Sequence, residues 1–220
     1  MIYGECEGVV VRQTKALKGR RILLIVTDRY GKLSAGTSLS EKGKSKSALA
    51  TRPFTHGRYQ LTQGRGHTNI ASAETIKSYY GFGEDYDKFL NASLILEFTG
   101  KILPEESPAP DIYELLLTCL DLLERRKRNF DAVAVAYLVK ILQFSGVFPE
   151  AENFRYDELL SALNFDIVNI LVYLMENPLS RMEKLALDED KSAELLRLIL
   201  RYAERHLDIG SLKSNLLNDT

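Results

Sequence analysis

A single change of hydrophobic period, near residue 80 of 220, constrains this chain more than any other feature. Before it, short β-branched runs bounded by turn residues predict strands; after it, apolar residues recur at helical spacing. The strands expected are Gly8–Gln13, with Val9, Val10 and Val11, and Arg21–Asp28, with Ile22 to Val26, joined by a polar turn through Lys18-Gly19. Tyr30-Gly31-Lys32 turns the chain into Leu33–Thr37. A polar connection from Ser38 to Ser47 has almost nothing to bury. Strand patterning resumes at Phe54–Thr62 and, past a Gly64-Arg65-Gly66 turn, at Asn69–Thr75. Five short strands with a long third connection suit a small closed barrel of the OB type.

The helical spacing begins with Asp85–Leu103, one amphipathic run stopped by Pro104. Asp111–Glu124 places Ile112, Leu115, Leu116, Cys119 and Leu123 on one face, and Asp131–Phe144 ends near Gly146. Shorter helices are expected at Asp157–Leu163 and Asp166–Glu176. Ser180 and Glu183 have capping-box spacing for another, and Asp190–His206 closes the series. The expected fold is therefore α+β: an OB barrel over residues 1–79 and an all-helical domain over 80–220.

Charge changes sign at the same boundary. Residues 1–80 carry 14 Lys or Arg against 5 acidic side chains, whereas residues 81–220 carry 15 against 25, so a formal charge of −1 hides two opposed halves. From Arg12 to Arg65 there are thirteen cations and two carboxylates, Asp28 and Glu41. A basic half of this kind points to nucleic acid, with a solvated basic surface as the competing reading. Within it, Lys42, Lys44 and Lys46 alternate with Gly and Ser, a supple backbone that lets each ammonium reach one polyanion. Gly43-Lys44-Ser45 ends like a nucleotide-binding P-loop, but the first glycine of that motif is replaced by Ser38. The candidate nucleic-acid contacts are Arg12, Lys15, Arg20, Arg21, Lys42, Lys44, Lys46 and Arg65. Lys18 and Arg58 lie in the same hairpins, and Arg125–Arg128 is a second basic run at a helix end. Of the interleaved aromatics, Phe54 is expected in the core, and Tyr59 suits either the core or a base-stacking platform.

Catalytic and metal chemistry find no support. His56, His67 and His206 lack partners at ligand spacing, and Cys6 and Cys119 belong to no C-x-x-C pair, so both thiols are expected to be small buried residues. Carboxylates such as Glu105-Glu106 suit helix starts, where the backbone dipole favours them. No nucleophile–base pair is discernible. No apolar run is long enough to span a bilayer and the N-terminus has no signal-peptide pattern, so a cytoplasmic, nucleoid-associated protein is expected.

The chain resembles the RecO family of DNA repair proteins. The likeness is carried by Glu7-Gly8-Val9-Val10-Val11-Arg12, Thr27 to Ala35, Lys44-Ser45-Lys46-Ser47, Arg52-Pro53-Phe54 and Ala73-Glu74. It continues in Ile102-Leu103-Pro104-Glu105-Glu106, Leu142 to Pro149 and Ser211-Leu212-Lys213-Ser214. The resemblance implies a non-enzymatic recombination mediator that binds single- and double-stranded DNA, anneals strands and helps load recombinase. It implies RecR and the acidic C-terminal tail of the single-strand-binding protein as partners. Many members carry a four-cysteine zinc site after the segment matching Gly146–Pro149; here Glu150 to Tyr156 contains no cysteine, so no metal is expected and apolar packing is expected in its place. An RNA-binding barrel and a protein-interaction adaptor are the alternative functions.

Overall fold

The computed structural model describes residues 4–16, 20–39, 46–64, 66–184, 187–210 and 212. The strand-rich half forms β1 (Glu5–Lys15), β2 (Arg21–Thr27), β3 (Gly31–Thr37), β4 (Thr55–Gln63) and β5 (Thr68–Ser78). They close into a barrel in the order β1-β2-β3-β5-β4. β1 pairs with β4 through its first half and with β2 through its second, and a short parallel pairing of Ala35 with Thr68 and Gly36 with Asn69 seals the circle. Closure removes exposed strand edges, which is how so small a sheet avoids pairing with other chains. Cys6, Val10, Leu23, Ile25, Tyr59 and Leu61 fill the interior, each 2% exposed or less.

Tyr59 is therefore core rather than platform: it is fully buried and its hydroxyl donates to the Ala50 carbonyl at 2.8 Å. Ala50 follows α1 (Lys46–Leu49), a single helical turn where the sequence suggested only loop. Ala48 and Ala50 are fully buried, so two small apolar side chains justify a turn that is too short to show a period. Phe54 is half-buried, with a left-handed backbone (φ 62°), and packs edge-to-face on Phe82 at 5.9 Å.

The barrel's outer surface is covered in part by a later segment. A β-bulge between Val10 and Arg12 lets Val9, Val10 and Val11 all be buried. Val10 points into the barrel, while Val11 and Leu24 meet Gly100, where a Cβ would sit 2.9 and 3.2 Å from their methyl groups. Gly100 lies in α2 (Tyr86–Ile102), so a glycine brings this helix close to the sheet. Gly31 has φ +66°, and a Cβ there would lie 1.8 Å from the Ser107 carbonyl oxygen. Accordingly the chain divides into one unit of Met1–Gly83 with Leu96–Tyr113, and another of Glu84–Ile95 with Glu114–Thr220. A boundary near residue 80 leaves 96–113 with the helices; in the structure it belongs with the barrel.

The second unit is built around α4 (Phe130–Phe144), buried along most of its length and packed against α5 (Phe165–Glu176) and α6 (Glu189–His206). Its start is fixed by Asn129, in the left-handed conformation, whose side chain accepts from the Ala132 N–H and donates to the Leu187 carbonyl. α5 and α6 are capped from extended backbone, by Asn164 accepting from the Ile167 N–H and by Asp188 accepting from the Asp190 and Lys191 N–H groups. α3 spans Pro110–Arg125. The expected amphipathic stripe of α2 is not what forms, since Asn91, Ala92, Leu94, Ile95, Leu96, Phe98 and Thr99 are all buried. Two short segments differ from expectation. Residues 157–163 form turns, not a helix: the Asp157 carboxylate caps a single turn through the Leu159 and Leu160 N–H groups at 2.8 and 3.0 Å, and the extended Asn164 begins α5 before a second turn can form. Leu179–Lys184 is a 3₁₀ helix that begins before Ser180, so Ser180 lies inside it and not at its start; Pro178 accepts its first bond, from Arg181.

Candidate nucleic-acid interface

The β1–β2 hairpin closes on a hydrogen bond from Ala16 N–H to the Arg20 carbonyl, and this sets Arg20 at the mouth of a groove of about 480 Å³. The outward residues Ile22, Ser34 and Gly36 of β2 and β3 form its floor, and Gln63, His67 and Thr68 of the β4–β5 hairpin form one wall. Arg20 is exposed, and its Nη2 donates to Asn69 Oδ1 at 2.8 Å, bridging the two hairpins over Gly36. Ile22 is 45% exposed, an apolar patch on a floor otherwise polar.

Arg12 and Lys15 are exposed on β1. Arg12 owes its position to the bulge rather than to simple alternation, because Val11 faces away from the barrel interior too. Arg21 needs correction. It is only 5% exposed, its Nη1 donates to Thr51 Oγ1 at 3.0 Å, and its Nη2 donates to the Leu39 carbonyl. The guanidinium ties β2 to both flanks of the β3–β4 connection instead of facing solvent. Lys42, Lys44 and Arg65, like Lys18, lie outside the described residues; Lys46 opens α1, and its side chain lies outside them as well.

Other cations are neutralised locally. Arg58 Nη2 bonds Glu7 Oε1 at 2.9 Å, which raises its already high pKa, and Arg29 is 3.7 Å from Asp28. His56 Nε2 lies 2.9 Å from the Tyr113 hydroxyl and 3.5 Å from Glu7, a satisfied histidine. In the second unit, Arg126 is half-buried with its guanidinium on the carbonyls of Arg128 and Met182, and burial, then Arg128, lowers its pKa. Lys127 and Arg128 border a cavity of about 370 Å³ together with Asp85, Asp87, Asp131 and Glu189, so the field there is mixed.

Both thiols are buried, and burial pushes the Cys6 pKa up to about 12 and that of Cys119 well above the ordinary thiol value. Around residues 148–156, Phe148 packs edge-to-face on Phe154 at 5.7 Å and on Tyr202 at 5.1 Å, and Tyr202 stacks on His206 at 4.3 Å. Among the described residues, no three His, Cys, Asp or Glu side chains are grouped to hold a metal ion, and no helix is long and apolar enough to cross a membrane.

Sequence reasoning missed Glu105 and Glu106 as groove residues. They precede α3 in the chain, but Glu105 bridges to Lys32 and the Glu106 N–H donates to the Lys32 carbonyl at 2.7 Å, which carries both onto β3 and into the groove wall. Only the return of the chain to the barrel reveals this.

Comparison with known proteins agrees with the two-part architecture. Residues 1–79 match the family described as recombination protein O, N terminal, and residues 83–153 match recombination protein O, C terminal. A DNA repair protein RecO of Caldanaerobacter subterraneus is 22% identical over 95% of this chain and 95% of its own length. Its counterpart in Clostridium perfringens is 23% identical over 88% and 89%, and that in Bifidobacterium animalis 30% identical over 64% and 59%.

Proposed function

This chain belongs to the RecO family of DNA repair proteins, and we propose that within it the chain acts as a recombination mediator without covalent chemistry of its own. It binds single- and double-stranded DNA without reading sequence, lets complementary strands anneal and helps load recombinase on coated single strands. The observation that carries this reading is an OB-type barrel with Arg20 at the mouth of an open groove and Arg12 and Lys15 exposed on the strand leading to it. Lys42, Lys44, Lys46 and Arg65 belong to the proposed contact set on sequence grounds. Cations that neutralise phosphates release condensed counterions, so binding weakens with salt and is indifferent to base order. Strands that repel each other then pair once that repulsion is screened.

RecR and the acidic tail of the single-strand-binding protein are the proposed partners, in the cytoplasm at the nucleoid. For the tail, the helical unit offers a cleft of about 200 Å³ between Leu163, Ile167, Leu195 and Leu198, bordered by Arg197 and Arg201 against a single acidic lining residue among the described residues, Glu194. Two guanidinium groups beside an apolar floor suit an acidic peptide.

The test is fluorescence anisotropy of labelled single strands across a salt series. Replacing Lys42, Lys44 and Lys46 together with alanine should weaken all sequences alike and flatten the log–log salt slope by about 0.7 per lost contact. Unchanged affinity and slope would remove that loop from the interface. Preference for RNA of equal length would favour the RNA-binding reading, and Mg²⁺-dependent degradation of the DNA would overturn the non-enzymatic one.

A further inference from the structure

We propose that Glu105 and Glu106 form an acidic stop that makes the barrel groove favour a single nucleic-acid strand over a duplex, with the strand's phosphate seated at the Arg20 end. The inference rests on the DNA-binding reading and adds the geometry of the bound strand.

The groove is polarised along β3. Arg20 stands beside Gly36 through its bond to Asn69, whereas Glu105 and Glu106 are fastened to Lys32 at the strand's other end. The four steps along the strand from Lys32 to Gly36 span about 13 Å. That length seats one nucleotide with its phosphate at one end and its base edge at the other. Exposed Ser34 lies between, and exposed Ile22, opposite Gly36, lies at the Arg20 end, a floor that a base covers by its apolar face. At the far end, carboxylates repel phosphate.

The acidic end is built in rather than incidental. Both glutamates are exposed, and Glu106 is held at φ 56°, a left-handed conformation that L-residues other than Gly, Asn and Asp rarely adopt. Gly31 lets the backbone at Ser107 approach β3 so closely that a Cβ would collide with it. At this end Lys32 has its ammonium on the Gly100 carbonyl at 3.0 Å. A single strand presents one row of phosphates and places it at Arg20. A duplex presents two rows, and the second meets the glutamates.

The experiment compares single-stranded and duplex oligonucleotides of equal length at low salt, with the full chain and with Glu105→Gln/Glu106→Gln. Two like charges about 8 Å apart in water weaken binding about twofold. Removing both carboxylates should therefore strengthen duplex binding about fivefold and change single-strand binding less than about twofold. Arg20→Met should weaken single-strand binding in both backgrounds. An equal gain for duplex and single strand would mean that only net charge matters and would overturn the proposal. No change for either would place the glutamates outside the interface and would also overturn it. If the unaltered chain bound neither nucleic acid, the DNA-binding reading itself would fall, and a peptide-docking groove would replace it. Unchanged thermal unfolding of the double variant excludes a folding defect as the cause.

Discussion

Replacing Arg21 with methionine distinguishes a structural strut from a phosphate contact. The guanidinium is 5% exposed and donates to Thr51 Oγ1 at 3.0 Å and to the Leu39 carbonyl. Hydrogen bonds from a charged donor contribute about 1.5–3 kcal/mol each, so losing two removes about 3–6 kcal/mol. Methionine follows much of the arginine stem and relieves the desolvation of a buried charge, itself several kcal/mol. The two effects oppose each other, and the expected net loss is about 2 kcal/mol. Urea unfolding followed by circular dichroism measures it, and a salt series with labelled single-stranded DNA is run beside it. Arg21→Met should lower the urea midpoint and leave the log–log salt slope at the wild-type value. Arg20→Met should do the reverse: stability within about 0.5 kcal/mol of wild type, and a slope flatter by about 0.7. A slope lowered by Arg21→Met at an unchanged urea midpoint would refute the reasoning, since it would require a guanidinium presented to phosphate.

Three further outcomes are expected. Gly31→Ala should cost about 3 kcal/mol, of which about 1–2 kcal/mol is the left-handed backbone and the rest the displacement of Ser107; wild-type stability in urea would show that residues 105–108 do not pack there. Tyr59→Phe should cost about 1–3 kcal/mol by leaving the buried Ala50 carbonyl without its donor, with DNA affinity unchanged; lost affinity at full stability would make Tyr59 a stacking platform. For Asp157, burial pushes the carboxyl pKa up, but the N–H groups of Leu160 and Leu159 and the His206 ring more than offset this, so it lies below its ordinary 3.8. A depressed folded value gives stability that is complete above the unfolded value and fades as pH falls below about 4. Asp157→Asn should therefore flatten the stability curve in that acid range, and an unaltered curve measured by thermal unfolding would contradict the assignment.

Much of the fold was legible because burial leaves a period. Strands closing a barrel alternate or run apolar, and the helices repeat apolar residues at helical spacing. Elements without a period were missed or misread. α1 has four residues and buries only small side chains, and the turn capped by Asp157 is cut short by the extended Asn164 that begins α5. The candidate interface was legible as a charge surplus, but not as a list of usable charges. Arg12, Lys15, Arg20 and Arg21 look alike in the chain. A bulge at Val11, a bridge to Asn69 and a burial against Thr51 separate them.

The amino-acid sequence by itself determined that a basic barrel precedes an acidic set of helices, because hydrophobic spacing and side-chain charge are local properties of the chain. Only the tertiary structure decided that Arg21 is a strut, that Tyr59 is core, and that Glu105 and Glu106 face Arg20 along one groove. Those assignments depend on strand register and on residues 96–113 packing on the barrel. Register and long-range return are set by the summed packing of many side chains. No single segment carries that sum, so it becomes visible only once the chain is folded.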